Sequence, residues 1–123
     1  YRNIKRLIPL HCVSSYPLSQ ENCNFLKFDY LKENFKKVGY SGHFSGIEDA
    51  IHAISRGAMI VEKHFTINKK LPGRDNKFAI LPKQLKLIRR WIDITKKFNL
   101  SKGLGLQKSE IDIYKNYRGR WGE

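Results

Sequence analysis

No apolar run in this 123-residue chain approaches the ~18 residues needed to cross a bilayer as a helix, which excludes an α-helical membrane span. The opening "YRNIKRLIPL" has basic residues but no long apolar stretch, so no signal peptide is expected there. There is no initiator methionine, and Tyr1 stands almost directly on a strand-like run, a pattern expected of a piece of something longer. Cysteine is scarce: Cys12 and Cys23 are the only two, in neither a CxxC nor a zinc-type Cys/His spacing. Reduced thiols in a cytosolic protein are therefore expected. Asn99-Leu100-Ser101 has the form of a glycosylation sequon, but nothing else points to secretion and no glycan is expected.

Acidic residues are also few, 11 against 24 basic, giving a net charge of +13. The excess is uneven. Residues 1–62 carry eight basic and six acidic residues, whereas residues 63–123 carry sixteen and five. Such a basic half fits nucleic acid, an acidic partner or a phosphorylated substrate, and equally a solvated helix face. At 41% hydrophobic the chain can bury a core, and its length suits a single domain.

Residues 7–14, "LIPLHCVS", read as a buried strand, weakened by Pro9. Residues 24–36 place Phe25, Phe28, Leu31 and Phe35 at helical spacing. A second short strand occupies 37–41. Ser45 with Glu48 three residues on forms a capping box, so a helix is expected to start there, with Ile47, Ala50, Ile51 and Ile54 on one face and Gly57 as its stop. Residues 58–66, "AMIVEKHFT", read as a third strand. After a polar loop, Pro82 opens a helix whose expected buried stripe is Leu85, Ile88, Trp91, Ile92, Thr95 and Phe98, with lysines and arginines on the other faces. The "GLGL" run at 103–106 lacks the Lys-Ser/Thr of a phosphate loop and reads as a turn. Residues 101–123 show no clear period and are expected to be irregular. Strands separated by helices argue for parallel pairing through right-handed crossovers. Three such units make either a small open sheet or part of a barrel, since a closed eight-unit barrel needs roughly 250 residues.

Two of the strand-like segments end on histidine. Side chains alternate along a strand, so Ser41 and His43 share a face, as do Glu62 and His64, with Val61 and Phe65 on the other side. As parallel neighbours ~4.8 Å apart, the two imidazoles could reach one exchangeable divalent ion that keeps positions open for water and substrate. Each could also merely bond near a loop, and spacing alone leaves both readings open.

Four ordered motifs, "LHCVSSYP", "GYSGH…GIEDAI", "GAMIVEKHFT" and "LPGRD", together resemble the sialic acid synthase family, which makes N-acetylneuraminic, legionaminic and pseudaminic acids. The resemblance runs from about Leu7 to Phe98. It implies an α/β fold in which residues 1–100 are the last three βα units of a (β/α)8 TIM barrel. It implies condensation of phosphoenolpyruvate with an N-acetylated hexosamine such as N-acetylmannosamine, in a cytoplasmic enzyme that is a homo-oligomer at full length. His43 and His64 are then the ligands of a divalent metal, Mn2+. Ser14 and Ser41 contact the phosphoenolpyruvate phosphate, and Tyr16 and Asp75 hold the amino sugar. Hydroxyls can orient a phosphate, and a carboxylate can accept bonds from sugar hydroxyls.

Two departures carry consequences. The family's "GYSDH" has an acid where this chain has Gly42, which predicts a lost polar contact beside the metal. The first five βα units, which supply the main acid–base groups, and the C-terminal antifreeze-like domain are not in these residues, so the isolated chain is expected to be inactive. The rival reading is a nucleic-acid or polyanion binder, in which Tyr114, Tyr117 and Trp121 alternate with Lys115, Arg118 and Arg120. No recognised nucleic-acid-binding motif accompanies them.

Overall fold

The computed structural model describes residues 7–117. Its centre is a three-stranded sheet in the order β1-β2-β3, formed by β1 (Leu10–Cys12), β2 (Gly39–Gly42) and β3 (Ile60–Lys63). Both pairings are parallel, with His11 opposite Tyr40 and Ser41 opposite Glu62. Between the strands run α1 (Leu26–Asn34) and α2 (Glu48–Ser55), and α3 (Pro82–Phe98) follows β3. The β-α-β-α-β-α order expected from periodicity is thus the observed one.

The strands are shorter than the apolar runs that announce them. Pro9 has no N–H to give, although its carbonyl accepts from Gly39 N at 2.9 Å, so the ladder begins there and β1 proper only at Leu10. β3 covers four residues of the expected 58–66, and Phe65 beyond it is half exposed.

One face of the sheet is covered by helices. Phe28, Val38, Tyr40 and Ala53 form one buried cluster, with Phe25, Leu31 and Phe35 packed against it, as the spacing in α1 predicts. Ala50, Ile54, Ile80 and Ile88 form a second, and Val61 touches both. Gly57 ends α2 with φ of +93°, a conformation that costs a Cβ-bearing residue. Pro82 stands in the first turn of α3, and Gln84 Oε1 accepts the Leu81 N–H at 2.9 Å.

Three expectations need correction. The Ser45–Glu48 capping box does not form: α2 starts at Glu48, whose carboxylate accepts from Ile47 N at 2.8 Å. The chain stays extended through Phe44, which bridges to Leu18 and whose carbonyl accepts from Lys63, and this delays the helix. The stripe of α3 is buried only in its middle: Ile88 is 5% exposed, but Leu85 is 47% and Phe98 80%. The stretch 101–123 is not irregular throughout, because Lys108–Glu110 form a 3-10 turn and Ile111–Tyr117 a helix, α4. The 3-10 turn is held locally, by Gln107 N donating to Glu110 Oε2 at 2.6 Å. Arg118, Arg120 and Trp121, on which the polyanion reading drew, lie outside the described residues.

Candidate active site

His43 and His64 follow the last paired residues of β2 and β3, Gly42 and Lys63, which are themselves partners. The matched register brings the two rings to 5.3 Å between centroids. Each histidine is fixed by a returning loop: Leu18 N donates to the carbonyl of His43 at 3.1 Å, and Ile80 N to that of His64 at 2.8 Å. The first of these loops carries Tyr16 and the second Asp75 and Phe78.

His43 is 5% exposed, and its Nδ1 lies 2.8 Å from the carbonyl oxygen of Val13. A carbonyl can only accept, so Nδ1 carries a proton, and Nε2 is the ring nitrogen left for a metal. His64 Nδ1 lies 3.5 Å from Asp75 Oδ2, a longer and more exposed contact that puts a carboxylate beside the second ring. Tyr16 lies tilted against His43, with ring centroids 4.1 Å apart, and stands edge-on to His64 at 6.0 Å. Asp75 and Tyr16, expected at the sugar, therefore both sit against the histidine pair.

Ser41 is buried, and its hydroxyl donates to Glu62 Oε1 at 2.6 Å across the β2–β3 register. That uses its single proton. Ser14 lies exposed two residues past the end of β1, on the strand-end side of the sheet. The structure thus brings His43, His64, Tyr16, Asp75 and the Ser41–Glu62 pair to one end of the sheet, with Ser14 at its margin.

Sequence reasoning missed Phe78. It is buried, 5.2 Å from His64 and 5.6 Å from Tyr16, and closes an aromatic wall around the imidazoles. It follows a run of polar loop residues and has no periodic partner, so no pattern marked it. Glu62 was visible as the same-face neighbour of His64, but its partner Ser41 is known only from the pairing. The expected loss beside the metal at Gly42 also needs correction. Gly42 alternates with His43 and faces the helices, where Asp49 already places a carboxylate.

Among the described residues no group of three or more His, Cys, Asp or Glu side chains is arranged to hold a metal. Two imidazoles whose Nδ1 atoms face a carbonyl and a carboxylate still fit a divalent ion that takes its remaining ligands from water and substrate. Lys70, Arg74 and Lys77, in the loop between β3 and α3, are exposed.

A profile of the NeuB family matches residues 2–103. The chain belongs to the NeuB family. Among curated NeuB relatives, the N,N'-diacetyllegionaminic acid synthase of Campylobacter jejuni is 35% identical over 108 residues, 87% of this chain and 31% of its own length. The N-acetylneuraminate-9-phosphate synthase of Drosophila melanogaster is 40% identical over 81 residues, 64% of this chain and 22% of its own length. The chain thus spans less than a third of these relatives. A solved N-acetylneuraminic acid synthetase of Leptospira borgpetersenii, in complex with citrate, matches 93% of this chain with a TM-score of 0.76 and 32% identity, over 40% of its own length.

Proposed function

We propose that these residues are three consecutive βα units of a (β/α)8 barrel and carry the metal-binding and substrate-holding end of a nonulosonic acid synthase. The whole enzyme would condense phosphoenolpyruvate with an N-acetylated hexosamine such as N-acetylmannosamine. The observation that carries the reading is the histidine pair. Two imidazoles at matched ends of neighbouring parallel strands, His43 bonded at Nδ1 to a carbonyl and His64 beside a carboxylate, stand where α/β folds gather their chemistry. The free thiols of Cys12 and Cys23 fit a reducing, cytoplasmic setting.

His43 and His64 would hold the divalent ion, Mn2+. When bound, the ion supplies Lewis-acid polarisation of the sugar's aldehyde oxygen. Tyr16 and Phe78 wall the sugar against the imidazoles, and Asp75 accepts from its hydroxyls. Ser14 and Ser41, with the exposed Lys70, Arg74 and Lys77, would meet the phosphate; Ser41 must then turn its hydroxyl from Glu62 to the phosphate oxygen. The overall reaction joins C3 of phosphoenolpyruvate to the aldehyde carbon, and water adds at C2 as phosphate leaves. The groups that move those protons are expected from the rest of the barrel, and a homo-oligomer from the full-length enzyme.

The test is a titration with Mn2+ followed by the electron paramagnetic resonance signal of the free ion. The wild-type chain should deplete the signal, and His43→Ala and His64→Ala should each restore it. A wild-type chain that leaves the signal untouched would sink the metal reading. Phosphate release from the isolated chain with both substrates should stay at background.

A further inference from the structure

We propose that the buried Asp49–Lys63 pair is a positioning clamp for the two site histidines, and that the Asp49 carboxylate from α2 fills the place that an aspartate side chain at position 42 would take. The first half deepens the metal-site reading and rests on it; the second stands on packing alone.

Lys63 precedes His64 on β3 and points to the helix-covered face. Its ammonium lies 2.7 Å from the carbonyl oxygen of Phe44 and 3.0 and 2.9 Å from Asp49 Oδ1 and Oδ2. Phe44 follows His43. One ammonium therefore ties the residue after one histidine to the residue before the other. The side chains of Lys63 and Asp49 are only 5% and 1% exposed. Asp49 is held in turn by the Tyr40 hydroxyl, which donates at 3.1 Å, and by the N–H of Ala50 at 2.8 Å. A buried ion pair is a poor source of stability beside an apolar pair of the same volume. What this one provides is a fixed separation between two strand ends.

The geometry at Gly42 shows what fills the space beside it. A Cβ there would land on Asp49 Oδ2, would meet Tyr40 Cε1 at 2.6 Å and would lie 3.1 Å from Lys63 Cδ. The space that an aspartate side chain at position 42 would fill is taken by the carboxylate from α2. Positions 42 and 49 can hold one acid between them and not two, since like charges so close in a buried site oppose one another.

The experiment is a carboxylate swap in the full chain: wild type, Asp49→Ala, Gly42→Asp and the double variant Gly42→Asp/Asp49→Ala. Three signals are read: the thermal midpoint, the His43 Nδ1–H resonance (the proton bonded to Val13) and Mn2+ affinity. Each single variant should lose about 10 °C or more, speed exchange of the His43 proton and weaken Mn2+ binding about 10-fold. The double variant should recover most of each loss. A double variant no better than the worse single one overturns the shared place for one carboxylate. An unchanged His43 resonance in Asp49→Ala overturns the clamp. If Asp49→Ala does not fold, a folded double variant supports the proposal and an unfolded one refutes it. Failure of the wild type to bind Mn2+ removes the metal reading, while the midpoints and the His43 proton still decide the clamp.

Discussion

Tyr40 is fully buried, yet its hydroxyl must find a partner, and Asp49 provides one at 3.1 Å. Burial, then the charge of Asp49, pushes the phenol well above its ordinary value of 10.0. Lys63 moves the other way: burial lowers its ammonium from 10.5, and Asp49 opposes the shift. The two give opposite pH dependences. Unfolded chain loses the Tyr40 proton near 10 while the folded state keeps it, so Tyr40 makes stability fall as pH rises above about 10. Lys63 releases its proton earlier in the folded state than in the unfolded one, so it makes stability rise with pH just below 10.5. Tyr40→Phe should therefore cost about 1 kcal/mol at neutral pH and flatten the decline above pH ~10, measured by urea unfolding across the alkaline range. An equally steep decline in the variant would refute the assignment to Tyr40. None of this is legible locally. The alternation of a strand reports which residues share a face, as it did for Ser41 with His43, but not that an acid from the next helix fills the gap over a glycine.

Among the elements, α3 separates what a period can say from what it cannot. Its apolar spacing marks the stripe, but how far the stripe is covered depends on what lies opposite. Ile88 meets Ala50, Ile54 and Ile80, and the Trp91 indole donates to Ser55 of α2 at 3.1 Å. Leu85 and Phe98 lie beyond that contact. Ile88→Ala should cost about 2–5 kcal/mol and Phe98→Ala less than ~0.5 kcal/mol, by chemical denaturation. Gly57→Ala should cost more than about 1 kcal/mol, because its positive φ opposes any Cβ. The stop at Gly57 and the start at Pro82 were readable, since each acts through its own backbone. The start of α2 was not, because a tertiary bond from Lys63 keeps Phe44 extended and Ser45 out of the capping position.

At the scale of the whole molecule, among the described residues β1 and β3 each pair on one side only, and no described helix packs over the strand ends that carry the histidines. Exposed edges of a parallel sheet invite further strands, so the isolated chain should self-associate. Sedimentation at rising concentration tests this, and a sharp monomer throughout would refute it. The sequence by itself determined the order of elements as far as α3, the parallel pairing and the family, because periodicity, turn residues and ordered motifs act over short windows. It also determined that Ser41 and His43, and Glu62 and His64, face one way. Only the tertiary structure decided that Ser41 gives its proton to Glu62, that Asp75 and Tyr16 lie against the imidazoles, that Phe78 closes their wall and that Asp49 stands over Gly42. Those contacts join residues from different strands, helices and loops, and their geometry is set by register and packing, which no single stretch of sequence contains.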